Sequence, residues 1–148
     1  MLITNATLIT WDNPNTIISD GALYVEDGVI VELGANDMLR GISPAQTRKA
    51  LDAIIARIKA KGAKVILAGM IAAPGMGRIY SEQFNAIYPD LAKKHSVPLI
   101  PFFLDGVAAR KELNLADGIH PNAKGVEVIV SKVLPKVVSL IAPDTPDR

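Results

Sequence analysis

The chain of 148 residues has no cysteine and few aromatic residues, 5% in all. Without thiols it forms no disulfide, has no thiolate nucleophile and cannot hold zinc through cysteine. Long apolar runs are missing too: none approaches the ~20 residues needed to span a bilayer. The opening MLITNATLIT has neither the basic start nor the apolar centre of a signal peptide. Charge of one sign is also lacking, with 16 basic against 15 acidic side chains and a formal net charge of +1. That balance argues against nucleic acid or an anionic membrane as a partner. What remains is 49% apolar and 21% charged residues, the composition of one globular domain long enough to bury a core. These features predict a soluble, cytoplasmic protein.

Two textures meet near residue 34. Up to Gly34 the pattern is all strand. Leu2, Ile3, Thr4, Thr7, Leu8, Ile9 and Thr10 favour β structure around an Asn5-Ala6 break, and residues 12–15 (DNPN) read as a turn. Residues 22–26 and 29–33 read as two strands of a hairpin, because Asp27-Gly28 suits the positive φ of a two-residue turn. From Ser43 the texture alternates helix and strand. Ser43-Pro44 is an N-cap followed by proline at the first helical position, and Leu51, Ile54, Ile55 and Ile58 recur at helical spacing. Residues 64–70 (KVILAGM) read as a buried strand, and Tyr80, Phe84, Ile87, Tyr88 and Leu91 mark a helix bent at Pro89. Residues 97–103 read as another strand, and Val126, Ile129, Val130, Val133, Val137 and Leu140 mark a last helix. Strands alternating with helices predict an α/β fold with a mainly parallel sheet, whose ligands sit beyond the carboxyl ends of the strands.

Two motifs fall on that rim. Gly34-Ala35-Asn36-Asp37 follows the strand VIVEL; alone, such a block is more often only a turn. In Asp117-Gly118-Ile119-His120-Pro121, a carboxylate three residues before a histidine can hold one ring nitrogen and leave the other free as a base. Equally, Asp117 or Asn122 can simply cap the following helix while His120 is solvated. Elsewhere, His95 beside Lys93 and Lys94 reads as a surface residue at a helix end. Trp11 reads as a cover for the β-layer, and Arg40 and Arg78 as solvated. Met70, Met76, Phe102 and Phe103 are candidates for an acyl pocket, with core the simpler reading for Phe102.

Taken together, ELGANDMLRG and DGIHP resemble the Gly-x-Asn-Asp and Asp-x-x-His blocks of SGNH (GDSL-type) hydrolases, in the thioesterase I/arylesterase branch. The intervening GRIYSEQFNAIYPDLAKKHSVPLIPFFLDGV and LADGIHPNAKG are similar as well. The resemblance runs over residues 28–141 and implies a truncated, flavodoxin-like three-layer sandwich with parallel strands. It also implies an ester hydrolase acting on small esters or thioesters without cofactor or metal. By resemblance, His120 is the general base, Asp117 orients it, and Asn36 donates to the oxyanion.

The departures are equally specific. The family's Gly-Asp-Ser block, which carries the nucleophile, is absent. The serines present are Ser19, Ser43, Ser81, Ser96, Ser131 and Ser139, and none stands in that context. Residues 1–33 (LITNATLITWD…IISDGALYVEDGVIVELG) instead resemble the β-sandwich start of amidohydrolase-superfamily enzymes of the deaminase/chlorohydrolase type, without the metal-binding His-x-His. The chain therefore reads as a β-strand segment, 1–33, joined at GVIVELG to a hydrolase-like part, 34–148, folded as one unit. An inactive chimeric fragment that folds and self-associates is the alternative to an atypical esterase. The unpaired strand edge left by the missing block predicts a homodimer or higher oligomer.

Overall fold

The computed structural model describes residues 2–9, 17–24 and 28–141. Strand β1 (Leu2–Ile9) pairs antiparallel with β2 (Ile17–Tyr24), and these two form a sheet of their own. The predicted break at Asn5-Ala6 is a register irregularity within β1, between Ile3 and Ala6 and again between Ala6 and Leu8. The turn at 12–15 and Trp11 lie outside the described residues.

The second sheet carries the strands β3 (Gly28–Glu32), β4 (Lys64–Ala68) and β5 (Leu99–Ile100), in that order and all parallel. Here the predicted hairpin at Asp27-Gly28 is corrected. Asp27 itself lies outside the described residues, but Gly28 opens β3 and faces Lys64 of β4, while β2 is taken by β1. The reason is visible in GVIVE: Val29 and Val31 pack into one apolar cluster while Ile30 points to the other face. A strand that is apolar on both faces suits a parallel sheet covered on both sides.

Helices fill the two faces. On one lie α2 (Pro44–Ala60), α3 (Arg78–Asn85) and α4 (Ile87–His95), which bury Leu51, Ile55, Phe84, Ile87, Tyr88 and Leu91 against Val31, Val65 and Leu67. On the other lies α5 (Ala123–Ile141), whose Ile129 and Val133 cover Ile66, Ala68 and Ile100. This is the expected three-layer α/β sandwich. Each fully buried large side chain contributes roughly 1.5–3 kcal/mol, and the two clusters lock the strands between them.

Local chemistry sets the helix ends. The Ser43 hydroxyl accepts from the Gln46 N–H and donates to its side chain, with Pro44 opening α2, which makes Ser43 the N-cap. The bend expected at Pro89 falls a turn earlier: Ala86, itself in αR conformation, alone separates α3 from α4, and Pro89 lies in the first turn of α4, where its missing N–H costs nothing. Residues 97–103 form a shorter strand than predicted. Pro98 and Pro101 lack N–H groups, so pairing with β4 runs from Pro98 O accepting Leu67 N–H to Ile100 O accepting Gly69 N–H.

The direction of α5 sets up the rim. Lys64 Nζ donates to Leu140 O at 2.7 Å, so the end of α5 sits beside the starts of the strands. Nineteen helical residues reach about 28 Å, which carries the beginning of α5 to the carboxyl edge of the sheet.

Candidate active site

The rim begins where β3 ends. Gly34 caps the short helix α1 (Ala35–Leu39) with φ 109°, a conformation that costs residues with a Cβ. Behind it the buried Tyr88 hydroxyl donates to Leu33 O at 3.0 Å; burial pushes the Tyr88 pKa well up, so it stays a neutral donor. Asp37 accepts from the Thr47 hydroxyl at 3.0 Å, tying α1 to α2. Asn36 is exposed between these anchors. It borders a shallow cavity of about 290 Å³ lined by Gly34, Ala35, Asp37, Thr47 and Ile54, among others.

The second half of the site precedes α5. A 3-10 turn (Lys111–Leu113) and a bridge between Asn114 and Pro121 close a loop around residues 115–120. Leu115 N–H donates to His120 O at 2.7 Å across its neck. Inside the loop, Asp117 Oδ1 accepts from the Ile119 and His120 N–H groups, at 3.0 Å each. Its Oδ2 lies 2.7 Å from His120 Nδ1. The His120 side chain and these two N–H groups hold the Asp117 pKa down at about 2. An ionised acceptor there requires the proton on Nδ1, which leaves the Nε2 lone pair of neutral His120 open to solvent.

Each reading holds in part: Asp117 pairs with His120 Nδ1, while the His120 side chain is exposed. The cap of α5 is Asn122, whose Oδ1 accepts from Gly125 N–H at 3.1 Å, and Asp117 is free for His120. Sequence reasoning missed Asn114. Its buried amide donates to Val107 O and Arg110 O, at 2.7 and 2.8 Å, and so anchors the loop's base. The one available signal was a polar residue set between Leu113 and Leu115.

Asn36 and the Asp117–His120 pair thus share the carboxyl edge of the sheet. Among the described residues, no hydrogen bond joins the Asn36 side chain to either of the other two. No described hydroxyl bonds to His120 Nε2. Ser43 caps α2, while Ser131 and Ser139 donate to Val128 O and Lys136 O of their own helix.

Other candidates move. His95 is not a surface residue: its side chain is 12% exposed and Nε2 lies 2.6 Å from Asp52 Oδ1 on α2. Lys94 and then His95 pull the Asp52 pKa down. Met70 is core, Met76 and Phe103 are half-buried against the main cluster, and Phe102 is half-exposed and belongs to neither cluster. None of the four lines the cavity beside Asn36. Arg40 is exposed, and Arg78 pairs with Glu82 along α3. Among the described residues, no three acidic or histidine side chains gather as a metal site. No described helix is long and apolar enough to cross a membrane.

Comparison with known proteins shows the family. The family described as GDSL-like Lipase/Acylhydrolase matches residues 7–128. The chain is 40% identical over 117 residues to the "Thioesterase 1/protease 1/lysophospholipase L1" of Escherichia coli (strain K12), covering 79% of this chain and 56% of that protein. It is 38% identical over 115 residues to an arylesterase of Vibrio mimicus, covering 78% and 58%. Among solved structures it is similar to that of TesA, with a TM-score of 0.71 and 38% identity over 76% of this chain and 63% of the other. It is also similar to the psychrotrophic esterase EstA from Pseudoalteromonas sp., inhibited by monoethylphosphonate, with a TM-score of 0.70 and 28% identity over 76% and 61%. The chain spans little more than half the length of the curated relatives it matches.

Proposed function

The chain belongs to the GDSL-like lipase/acylhydrolase family, and from that premise we propose that it is an ester hydrolase with an atypical site, acting on small esters or thioesters. The observation that carries this reading is the 2.7 Å pairing of Asp117 with His120 Nδ1. It orients the ring and frees Nε2 to take a proton from water or from a hydroxyl brought to the rim. Asn36 would donate its side-chain N–H to the oxyanion that forms as the carbonyl is attacked. The names of the relatives support the substrate class: thioesterase, lysophospholipase, arylesterase.

Turnover should be slow. With no Gly-Asp-Ser block, catalysis rests on the base and the oxyanion donor, and triad enzymes deprived of a member retain roughly 10³–10⁴-fold over water. The test is hydrolysis of p-nitrophenyl acetate and butyrate by the purified chain. His120→Ala should abolish the protein-dependent rate; an unchanged rate would sink the reading.

A second reading, a catalytically silent fragment that folds and self-associates, is favoured by one observation: His120 Nε2 bonds no hydroxyl among the described residues. No turnover together with no labelling by a fluorophosphonate probe would establish it. For residues 1–33, the strand-rich pattern and the separate β1–β2 sheet support a β segment of amidohydrolase-like origin, distinct from 34–148. The family match reaches back to residue 7, inside that segment.

A further inference from the structure

The His120 side chain is 69% exposed, and its bonds to Asp117 lie at the surface. Those bonds set the ring relative to residues 115–120. They do not set where that loop stands on the rim. Asn36 is placed separately, because Asp37 is bonded to Thr47 and Leu33 O to the Tyr88 hydroxyl. A base and an oxyanion donor must act on one carbonyl group at the same moment. Each must therefore be tied to the core in register, since a displacement of about 1 Å can cost on the order of 10²-fold in rate.

For His120 that tie runs through the neck of the loop, where residues 113–115 face residues 120–122. Leu115 N–H donates to His120 O, Asn122 N–H to Leu113 O, and Asn122 Nδ2 to Asn114 O. Two contacts between neck and core are steric. Leu113 packs half-buried against the α5-side cluster, and the start of α5 abuts Leu113 O so closely at Gly125 that a Cβ there would overlap it. Such contacts have no preferred direction. The directional tie is the Asn114 amide, 7% exposed, which donates to Val107 O at 2.7 Å and to Arg110 O at 2.8 Å. Val107 is fully buried in one cluster with Ile66, Ala68 and Ile100 of the sheet. One amide thus joins the sheet core to the residue beside Leu115, whose N–H holds His120 O.

Stability gives little reason for an amide here. Val107 O already accepts from Arg110 N–H at 3.1 Å, and Arg110 O from Leu113 N–H at 3.0 Å. Neither carbonyl depends on Asn114 for a partner. The amide's own Oδ1 is buried with no hydrogen-bond partner among the described residues, and a buried acceptor without a partner opposes folding. An apolar side chain of similar size would fill the same space without that cost. It would not fix the register of the neck on the 107–110 turn. We propose that Asn114 is a positioning residue of this site. It holds the Asp117–His120 pair in one place relative to Asn36, and it acts on the reaction through that placement. Its effect on rate rests on the esterase reading above; its effect on the ring does not.

The test is Asn114→Leu, which keeps the branched shape, removes the donors and the orphan acceptor together, and leaves no cavity of the kind an alanine would. Its Tm should stay within about 4 °C of the unaltered protein, the shift of a small stability change in a domain of this size. With p-nitrophenyl butyrate its kcat should fall at least ~10-fold while KM stays within about twofold, because a misplaced base slows the chemical step and leaves binding alone. In a His120→Ala background the same substitution should change the rate no further. Independently of turnover, the NMR signal of the His120 ring Cε1–H, single and sharp in the unaltered protein, should broaden or split in Asn114→Leu. If the unaltered protein has no turnover, the esterase reading fails and the ring signal alone decides the placement. An unchanged kcat in an active protein, or an unchanged ring signal, overturns the proposal. Asn114→Val replaces Asn114→Leu if leucine is too bulky to fold. Loss of the fold in both variants makes Asn114 a structural residue and overturns the proposal as well.

Discussion

Gly34 is the residue on which the rim turns, and replacing it with alanine separates backbone strain from packing. Its φ of 109° costs an alanine about 1–2 kcal/mol. The new Cβ would also overlap the Tyr88 hydroxyl. Tyr88 has nowhere to retreat: it is 1% exposed and its ring meets Phe84 edge-on at 5.7 Å. The hydroxyl would give up its bond to Leu33 O, and a buried polar group left unpaired costs about 1–3 kcal/mol. Gly34→Ala should therefore destabilise by roughly 2–5 kcal/mol, a large share of the 5–15 kcal/mol total of a typical domain. Tyr88→Phe alone loses one hydrogen bond, about 1 kcal/mol. In the double variant the hydroxyl is gone before the Cβ arrives, and the remaining close neighbour is Thr47 Cγ2 at 3.2 Å. The pair should then be less than additive by about 1–2 kcal/mol. Urea denaturation of the four proteins measures the cycle. Additivity within about 0.5 kcal/mol, or a Gly34→Ala cost below 1 kcal/mol, would refute the close approach described here.

Three further outcomes are expected. Asp117 has a depressed folded pKa of about 2, so its pairing with His120 adds stability that is fully present above the unfolded value near 3.8 and is lost as pH falls towards 2. Asp117→Asn should flatten acid unfolding across that window and lower any ester turnover at pH 7 by at least ~10²-fold through a misoriented ring; an identical acid profile in variant and parent would contradict the ion pair. Burial raises the pKa of Glu32, so the fold favours its neutral carboxyl; the contribution is fully present below the unfolded pKa and is lost as pH rises through the folded value. Glu32→Gln should accordingly raise Tm at pH 7 and do so less at pH 4, read by thermal melts at both. Asn114→Ala removes two donors from a buried loop base and should cost about 1–3 kcal/mol, with amide exchange of the His120 N–H accelerating more than that of Ile66.

Much of this was legible from short-range chemistry. Ser43-Pro44 opens a helix wherever it stands, because the cap and the proline act within one turn. Asp117 meets His120 for the same reason: three residues across a glycine turn bring the carboxylate back to the ring and to two N–H groups. The alternation of strand and helix segments sufficed for an α/β fold with a mainly parallel sheet, and the three layers followed from the family resemblance that the two motif blocks carried. Misread features all depended on what lies across the molecule. Asp27-Gly28 has hairpin chemistry, but its second strand is apolar on both faces and is taken by β4. His95 looked like a charged helix end, yet Asp52, distant in sequence, faces it across two packed helices.

By itself the amino-acid sequence determined the Ser43 cap of α2 and the spacing that lets Asp117 reach His120, since each rests on contacts within a few residues, and, through its composition, the absence of thiol chemistry. The sequence assigned Asn36 and His120 to one rim by the rule for parallel sheets, and tertiary structure supplied the path, with α5 running back from the carboxyl edge to Lys64. Beside the β3 edge expected from the missing block, tertiary structure alone showed a bare flank of α5, because no local pattern records which face of a helix will find a neighbour.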